Sequence, residues 1–180
     1  DFVPSRGLGD VYKRQLKGAL RMPSGKSDWF NSLLLKLDQE KLSSISVKRK
    51  KIIFEIESKD RKLSLKNNPD LKIDEEKLKQ VAEVIDAFYF YDVRKVNKIK
   101  KNNNNTISYE FKDGLILELK FIEKSKDSKE SWIEISAKSN NPKTINEAND
   151  LNKKTKGYQF LANINTSVIF NWNIKDLIKK

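Results

Sequence analysis

The chain has no cysteine and no histidine. Disulfides, thiolate nucleophiles, Cys/His zinc sites and imidazole bases are therefore excluded. Acid–base chemistry would fall to Asp, Glu, Lys or Tyr, and a metal would have only carboxylate and carbonyl ligands. Glycine (6) and proline (4) are scarce in 180 residues, so turns rest mainly on Asn, Asp and Lys. No apolar run approaches the roughly 18 residues of a membrane-spanning helix; the longest candidates lie around Leu33–Leu35 and Ile52–Ile56. Arginine is rare, 6 against 31 lysines.

What is abundant is positive charge, net +12 at pH 7, with 17 asparagines and 17 isoleucines. Basicity of that size invites a nucleic-acid or anionic-lipid reading. Lys, Asn and Ile are, however, the residues of A/T-rich codons, and readers of nucleic acid lean on arginine for bidentate contacts. Nucleic acid is therefore the weaker expectation, and a basic nucleic-acid- or lipid-binding module is the alternative reading. Length suffices for one domain with a substantial core.

Ser5 to Gln15 reads SRGLGDVYKRQ, which matches, codon for codon, the translation of a transposon-tagmentation sequencing adapter. Residues 1–15 are expected to be an artefact, with native sequence starting at or near Leu16 and the natural protein longer at its N-terminus. Residues 16–43 are expected to be a connector. Leu16–Pro23 reads as a strand end, Pro23–Ser27 as a turn, and Ser27 or Asp28 as the cap of a short helix carrying Trp29, Phe30, Leu33, Leu34 and Leu37. Pro23–Ser27 approaches a phosphate loop, but Leu20 stands where that motif needs glycine.

Residues 44–180 are expected to form an α+β domain of two successive strand–strand–strand–helix units, each an antiparallel meander covered by its helix. The first unit, 44–94, has Ile45/Val47, Ile52/Phe54/Ile56 and Leu63/Leu65 alternating with polar residues. Loops at Lys48–Lys51 and Lys59-Asp60 would pair Val47 with Ile52, Ile45 with Phe54, Ile56 with Leu63 and Phe54 with Leu65. Its helix starts at Asp74, a good N-cap, with Glu75 and Glu76 at the positive dipole end. Leu78, Val81, Ala82, Ile85, Phe88 and Tyr89 make its apolar face, before Phe88–Val93 turns extended.

Lys95–Asn105 reads as a linker. In the second unit, 105–156, a three-residue loop with Gly114 left-handed pairs Phe111 with Leu115, Tyr109 with Leu117 and Ile107 with Leu119. Ile133, Ile135 and Ala137 supply a third strand after the charged loop Glu123–Glu130. Thr144 and Glu147 suggest a capping box for a helix striped by Ile145, Ala148 and Leu151 and ended by Gly157. Residues 157–180 are expected to fold back as a strand and a short helix.

Ser27-Asp-Trp-Phe-Asn31, Leu34 to Asp38, Ile45-Ser-Val47, the Asp74 helix ending in Asp92-Val-Arg94, Phe111-Lys-Asp-Gly-Leu115, Trp132-Ile133 and Gly157-Tyr158 are the motifs that carry a resemblance. From Leu16 onward the chain resembles the C-terminal half of a proteobacterial member of the domain-of-unknown-function 4340 family. The resemblance implies a membrane-anchored protein whose soluble part lies on the periplasmic side of the inner membrane, with ABC-type exporter or gliding-motility components as neighbours. It brings no catalytic residues.

Candidate chemistry is sparse. Glu83, Asp86 and Asp92 lie near the aromatic cluster, but a solvated face explains them better than an acid–base pair. Phe88, Phe90, Tyr91, Trp132 and Trp172 suit a core better than a stacking platform. Lys48–Lys51 fits a solvated hairpin tip, and the sequons at Asn104 and Asn165 carry little weight in a bacterial protein. No catalytic, metal or cofactor residues are expected. Phe90, Tyr91, Arg94 and Lys95 are the candidate partner surface, although for Phe90 and Tyr91 a place in the core is the stronger expectation. The expected function is a non-enzymatic envelope accessory domain, with ABC exporter subunits as candidate partners and a membrane reached only through an anchor outside this chain.

Overall fold

A computed structural model describes residues 32–60, 62–66, 68, 71–96, 105–126 and 129–179. The adapter-like leader, the strand end at 16–23, the turn at 23–27 and the centre of the linker lie outside the described residues.

The strands are β1 (Leu33–Leu35), β2 (Leu42–Arg49), β3 (Lys51–Lys59), β4 (Lys62–Leu65), β5 (Phe88–Lys95), β6 (Asn105–Phe111), β7 (Leu115–Lys124), β8 (Ser131–Ser139) and β9 (Tyr158–Ala162). The helices are α1 (Glu75–Glu83), α2 (Ile145–Thr155), α3 (Ile164–Ile169) and α4 (Ile174–Leu177). All nine strands join one antiparallel sheet in the order β1-β5-β9-β8-β7-β6-β2-β3-β4.

This corrects the expected α+β plan of two helix-covered meanders. The meanders β2-β3-β4 and β6-β7-β8 exist, but β2 pairs with β6 from Leu42↔Phe111 to Arg49↔Asn105, fusing them into one β-rich sheet with short helices. Two separate units would each have left an edge of unpaired amides and carbonyls, and fusion satisfies both. The helices are not one lid per unit either. Leu78, Val81 and Ala82 of α1, and Ile85 just past its end, join Ile169, Phe170 and Leu177 of the C-terminal segment in the single apolar cluster under the sheet, while α2 runs along β8.

Leu33–Leu35, expected in a short helix, forms the edge strand β1 and pairs with β5 at Leu33↔Tyr89 and Leu35↔Phe88. The first two hairpins keep the expected faces but slip in register. Val47 pairs with Phe54 and Ile45 with Ile56, because Lys50 alone, at φ 60°, turns the chain and a bulge precedes Lys48. Ile56 pairs with Leu65 and Ser58 with Leu63, since the turn follows Lys59 and begins with Asp60 at φ 49°. Slips of two residues preserve face parity, so Ile45, Val47, Phe54, Ile56 and Leu65 are all buried. In the third hairpin Tyr109↔Leu117 and Ile107↔Leu119 pair as expected, with Gly114 at φ 91°.

α1 starts as its sequence dictates, the Asp74 carboxylate accepting from Glu76 N–H at 3.1 Å. It stops at Glu83, earlier than its apolar stripe suggests. The buried Tyr109 hydroxyl donates to the Val81 carbonyl at 2.9 Å, satisfying a carbonyl of the last turn. Burial pushes the Tyr109 phenol well above its usual pKa, so it stays a donor. Phe88 and Phe90 then enter the core on β5, while Tyr89 is exposed.

At α2, Thr144 makes no side-chain cap and the expected capping box is absent. Its hydroxyl is instead 2.6 Å from Ser139 Oγ. Asn141 caps the preceding single 3-10 turn, Pro142–Thr144. Ala148 is buried and Leu151 packs on the core, but Ile145 is exposed. Arg49, expected at a solvated tip, binds the Phe170 carbonyl at 3.2 Å and Asn173 Oδ1 at 3.1 Å, and also the Trp172 carbonyl. It ties the end of β2 to the C-terminal segment.

Candidate functional site

The four residues singled out from sequence have different fates. Phe90 is 7% exposed and packs edge-on against Phe160, ring centroids 5.2 Å apart, whereas Tyr91 is 48% exposed. Phe90 is therefore core as expected, but Tyr91, expected there as well, stands on the surface, because alternation along β5 puts it on the face opposite Phe90. Lys95 is exposed. Arg94 is half-buried and fully engaged: Nε donates to Gln159 Oε1 at 2.8 Å, an η nitrogen to Glu123 Oε1 at 2.7 Å, and the guanidinium lies 4.1 Å from the Trp132 ring centroid. Arg94 acts as a clasp across β5, β9, β8 and β7.

The clasp sits where the sheet divides. β8 pairs with β9 only from Ser131↔Ala162 to Ile133↔Phe160, then continues to Ser139 with β7 alone on its other side. α2 lies along the edge thus released. Two amides bridge the split. Gln159, almost fully buried, donates from Nε2 to Glu134 Oε1 at 2.9 Å. Asn152 binds both the amide and the carbonyl of Ala137. A groove of about 550 Å³ opens there, with Glu118, Lys120 and Glu134 on the sheet wall and Asn149, Lys156 and Tyr158 opposite.

Beside the groove the β5–β9 strip exposes large apolar side chains on both faces: Tyr89 and Tyr91 opposite Phe88 and Phe90, and, past the bulge that turns Val93 to the face of Phe160, Val93, Val96 and Tyr158 at the far ends of β5 and β9. Lys95, opposite Tyr158 in the register, adds positive charge. Sequence reasoning found Tyr91, Arg94 and Lys95 but missed Tyr89, Trp132, Tyr158 and Gln159. Alternation along Trp132, Glu134 and Ser136 was the available signal for an outer face.

The aromatic residues do not converge into one platform. Phe88 and Phe90 are buried, Trp132 lies under Arg94, and Trp172 stands near Lys77 Nζ, 6.0 Å from its ring centroid. The three carboxylates have local partners instead of one another. Asp86 accepts from Gln39 N–H at 3.2 Å, Asp92 from Val93 N–H at 2.8 Å, and Glu83 is 3.4 Å from Lys79. Among the described residues there is no group of three or more carboxylates placed to hold a metal ion, and no helix is long and apolar enough to cross a membrane.

No family model, curated protein or solved structure matches the chain.

Proposed function

We propose that this chain is a non-enzymatic, extracytoplasmic interaction domain of a membrane-anchored bacterial protein, and that it binds a protein partner through the exposed apolar side chains of the β5–β9 strip. The observation that carries the reading is the strip itself. Tyr89, Tyr91, Val93, Val96 and Tyr158 are all more than a third exposed on adjoining strands. Aromatic side chains on a rigid scaffold are what protein interfaces use as anchors, because they bury large area at little entropic cost. The Arg94 clasp supplies rigidity by tying four strands together beneath them. Periplasmic placement, and exporter-type partners, are supported by the motif resemblance to the domain-of-unknown-function 4340 family.

The test is site-specific photo-crosslinking in the bacterium that carries the gene. A photoreactive residue at Tyr91 or Tyr158 is expected to yield a discrete adduct with a membrane-fraction protein. The control position is Ile52, exposed near the opposite sheet edge. Equal adducts from Ile52, or none from Tyr91 and Tyr158, would sink the reading.

A further inference from the structure

A pocket of about 450 Å³ lies between α1 and α3. Glu76, Gln80 and Glu83, at i, i+4 and i+7 on one face of α1, line it together with Val168, Ile169 and Trp172 of the C-terminal segment. The lining holds two carboxylates and no basic side chain, in a chain of net charge +12. The grooves along α2 and beside the β3–β4 turn, by contrast, each carry two or more lysines. Glu76 has no ion pair among the described residues, and Glu83 has only an exposed one, 3.4 Å from Lys79. Lys77, near the Trp172 ring, donates to the Asp176 carbonyl. An independent sign of a ligand is Thr166, which also lines the pocket and is 2% exposed. Asn163 Oδ1 accepts from its N–H at 2.8 Å, but its hydroxyl has no hydrogen-bond partner. That oxygen is not sealed in, since Ser131 Oγ alone among the described residues is fully enclosed without a partner. Buried hydroxyls are normally bonded, so this one faces the pocket with its lone pairs free.

We propose that this pocket binds an aliphatic polyamine. Ionised carboxylates only accept hydrogen bonds, so they require a donor, and their charge requires a cation. Seven residues of helix separate Glu76 from Glu83, roughly 10 Å at 1.5 Å per residue. One ammonium group cannot span that distance, but two on a single carbon chain can. Each carboxylate then takes one ammonium, the Thr166 oxygen accepts a further N–H, and the methylenes lie on Val168, Ile169 and Trp172. An anion would meet like charge, and a neutral polyol would gain nothing from the two charges. No exposed residue of the β5–β9 strip lines the pocket, so the site goes beyond the partner reading and stands or falls apart from it.

The experiment is a chemical-shift titration of the isotopically labelled chain with four probes: spermidine, butylamine, 1,8-octanediol and octanedioate. Spermidine alone is expected to move the Gln80 and Asn165 side-chain amides and the Trp172 indole N–H, saturating below about 10 mM. Glu76→Gln is expected to weaken binding about fivefold, the upper end for an exposed ion pair. Thr166→Val should also weaken it about fivefold, one net hydrogen bond, without lowering the unfolding midpoint, because its hydroxyl has no partner to lose. Lys79→Ala, which frees Glu83, should tighten binding about threefold. The last result separates a ligand site from a structural role, since losing an ion pair cannot otherwise raise affinity. Equal response to the diol or the dianion overturns the proposal, and butylamine binding as tightly as spermidine overturns the two-ammonium geometry. Unchanged affinity in Glu76→Gln or in Thr166→Val overturns it as well, as does no response to spermidine at about 10 mM. Shifts confined to Tyr89, Tyr91 and Val93 overturn it while leaving the strip reading intact, which crosslinking at Tyr91 decides separately.

Discussion

Asn152 and Ala137 are joined by two hydrogen bonds, 2.7 and 2.8 Å, that reproduce with one side chain what a neighbouring strand would supply. The arrangement lets β8 leave β9 after Ile133 without exposing a bare edge. An unpaired edge is both a cost and a template for association.

Asn152→Ala is therefore expected to lose about 2 kcal/mol, two net hydrogen bonds at roughly 1 kcal/mol each. The Ala137 amide should exchange faster with solvent, and the variant should associate more readily. Asn152→Asp keeps the acceptor for the Ala137 N–H but turns a carboxylate oxygen toward its carbonyl, so it too should fall below the native chain. Urea unfolding with hydrogen exchange measures both, and an unchanged midpoint for Asn152→Ala would contradict the edge-capping role.

Tyr109 is the second buried polar contact on which the architecture turns. Removing its hydroxyl in Tyr109→Phe leaves the Val81 carbonyl buried without that donor, at a cost of about 1–3 kcal/mol. The pH dependence has a definite sign. Burial raises the phenol pKa in the folded chain, so the neutral form is the one that folding favours. The Tyr109 contribution is fully present below the unfolded value of about 10 and is lost as pH rises from there toward the folded value. Unfolding midpoints on both sides of pH 10 should fall more steeply for the native chain than for Tyr109→Phe. Parallel slopes would mean that the phenol ionises freely in the fold.

Which parts of this were legible in the sequence follows from the range of the forces involved. Period-two alternation located β2, β3, β6, β7 and β8, because each buries one face and leaves the other wet. Asp74 announced α1 through a local cap. The fusion of two meanders was not legible, since β2 pairs with β6 across about sixty residues, and pairing at that distance leaves no local pattern. The end of α1 was hidden for the same reason: its Val81 carbonyl is satisfied from β6. At the site, Lys95 could be read as surface, whereas Tyr91, which its aromatic neighbours suggest for the core, is exposed. Phe90 is drawn inward by Phe160, and Arg94 is committed to Gln159, Glu123 and Trp132, all more than twenty residues away.

Arg94→Lys tests that commitment. Lysine keeps the charge but cannot stack a planar group on Trp132 while donating to both Gln159 and Glu123. A loss of about 1 kcal/mol is expected, modest because Arg94 and Glu123 remain partly in water. Faster amide exchange near the β5–β9–β8 junction should accompany it. A variant with unaltered exchange at Gln159 and Trp132 would show that the clasp does not rigidify the strip.

Two glycines with left-handed backbones should respond differently to alanine. Gly157, at φ 86°, has no heavy atom within 4 Å of where a Cβ would stand, so Gly157→Ala incurs only the backbone term, about 1 kcal/mol. Gly114, at φ 91°, would put a Cβ 2.8 Å from Asn141 Cβ and 3.2 Å from its backbone nitrogen. Asn141 has little room to retreat: its side chain caps the Pro142–Thr144 turn, its N–H donates to Ser139 Oγ, and its carbonyl accepts from the same hydroxyl. The next residue back, Asn140, donates to the Gly114 carbonyl at 2.9 Å. Gly114→Ala should then cost about 2–3 kcal/mol, backbone strain plus a steric shift. Because that shift would displace the entry to α2, the Ala137 amide held by Asn152 should lose protection in Gly114→Ala and keep it in Gly157→Ala. Equal stabilities for the two variants would show that the β6–β7 turn is not wedged against the start of α2.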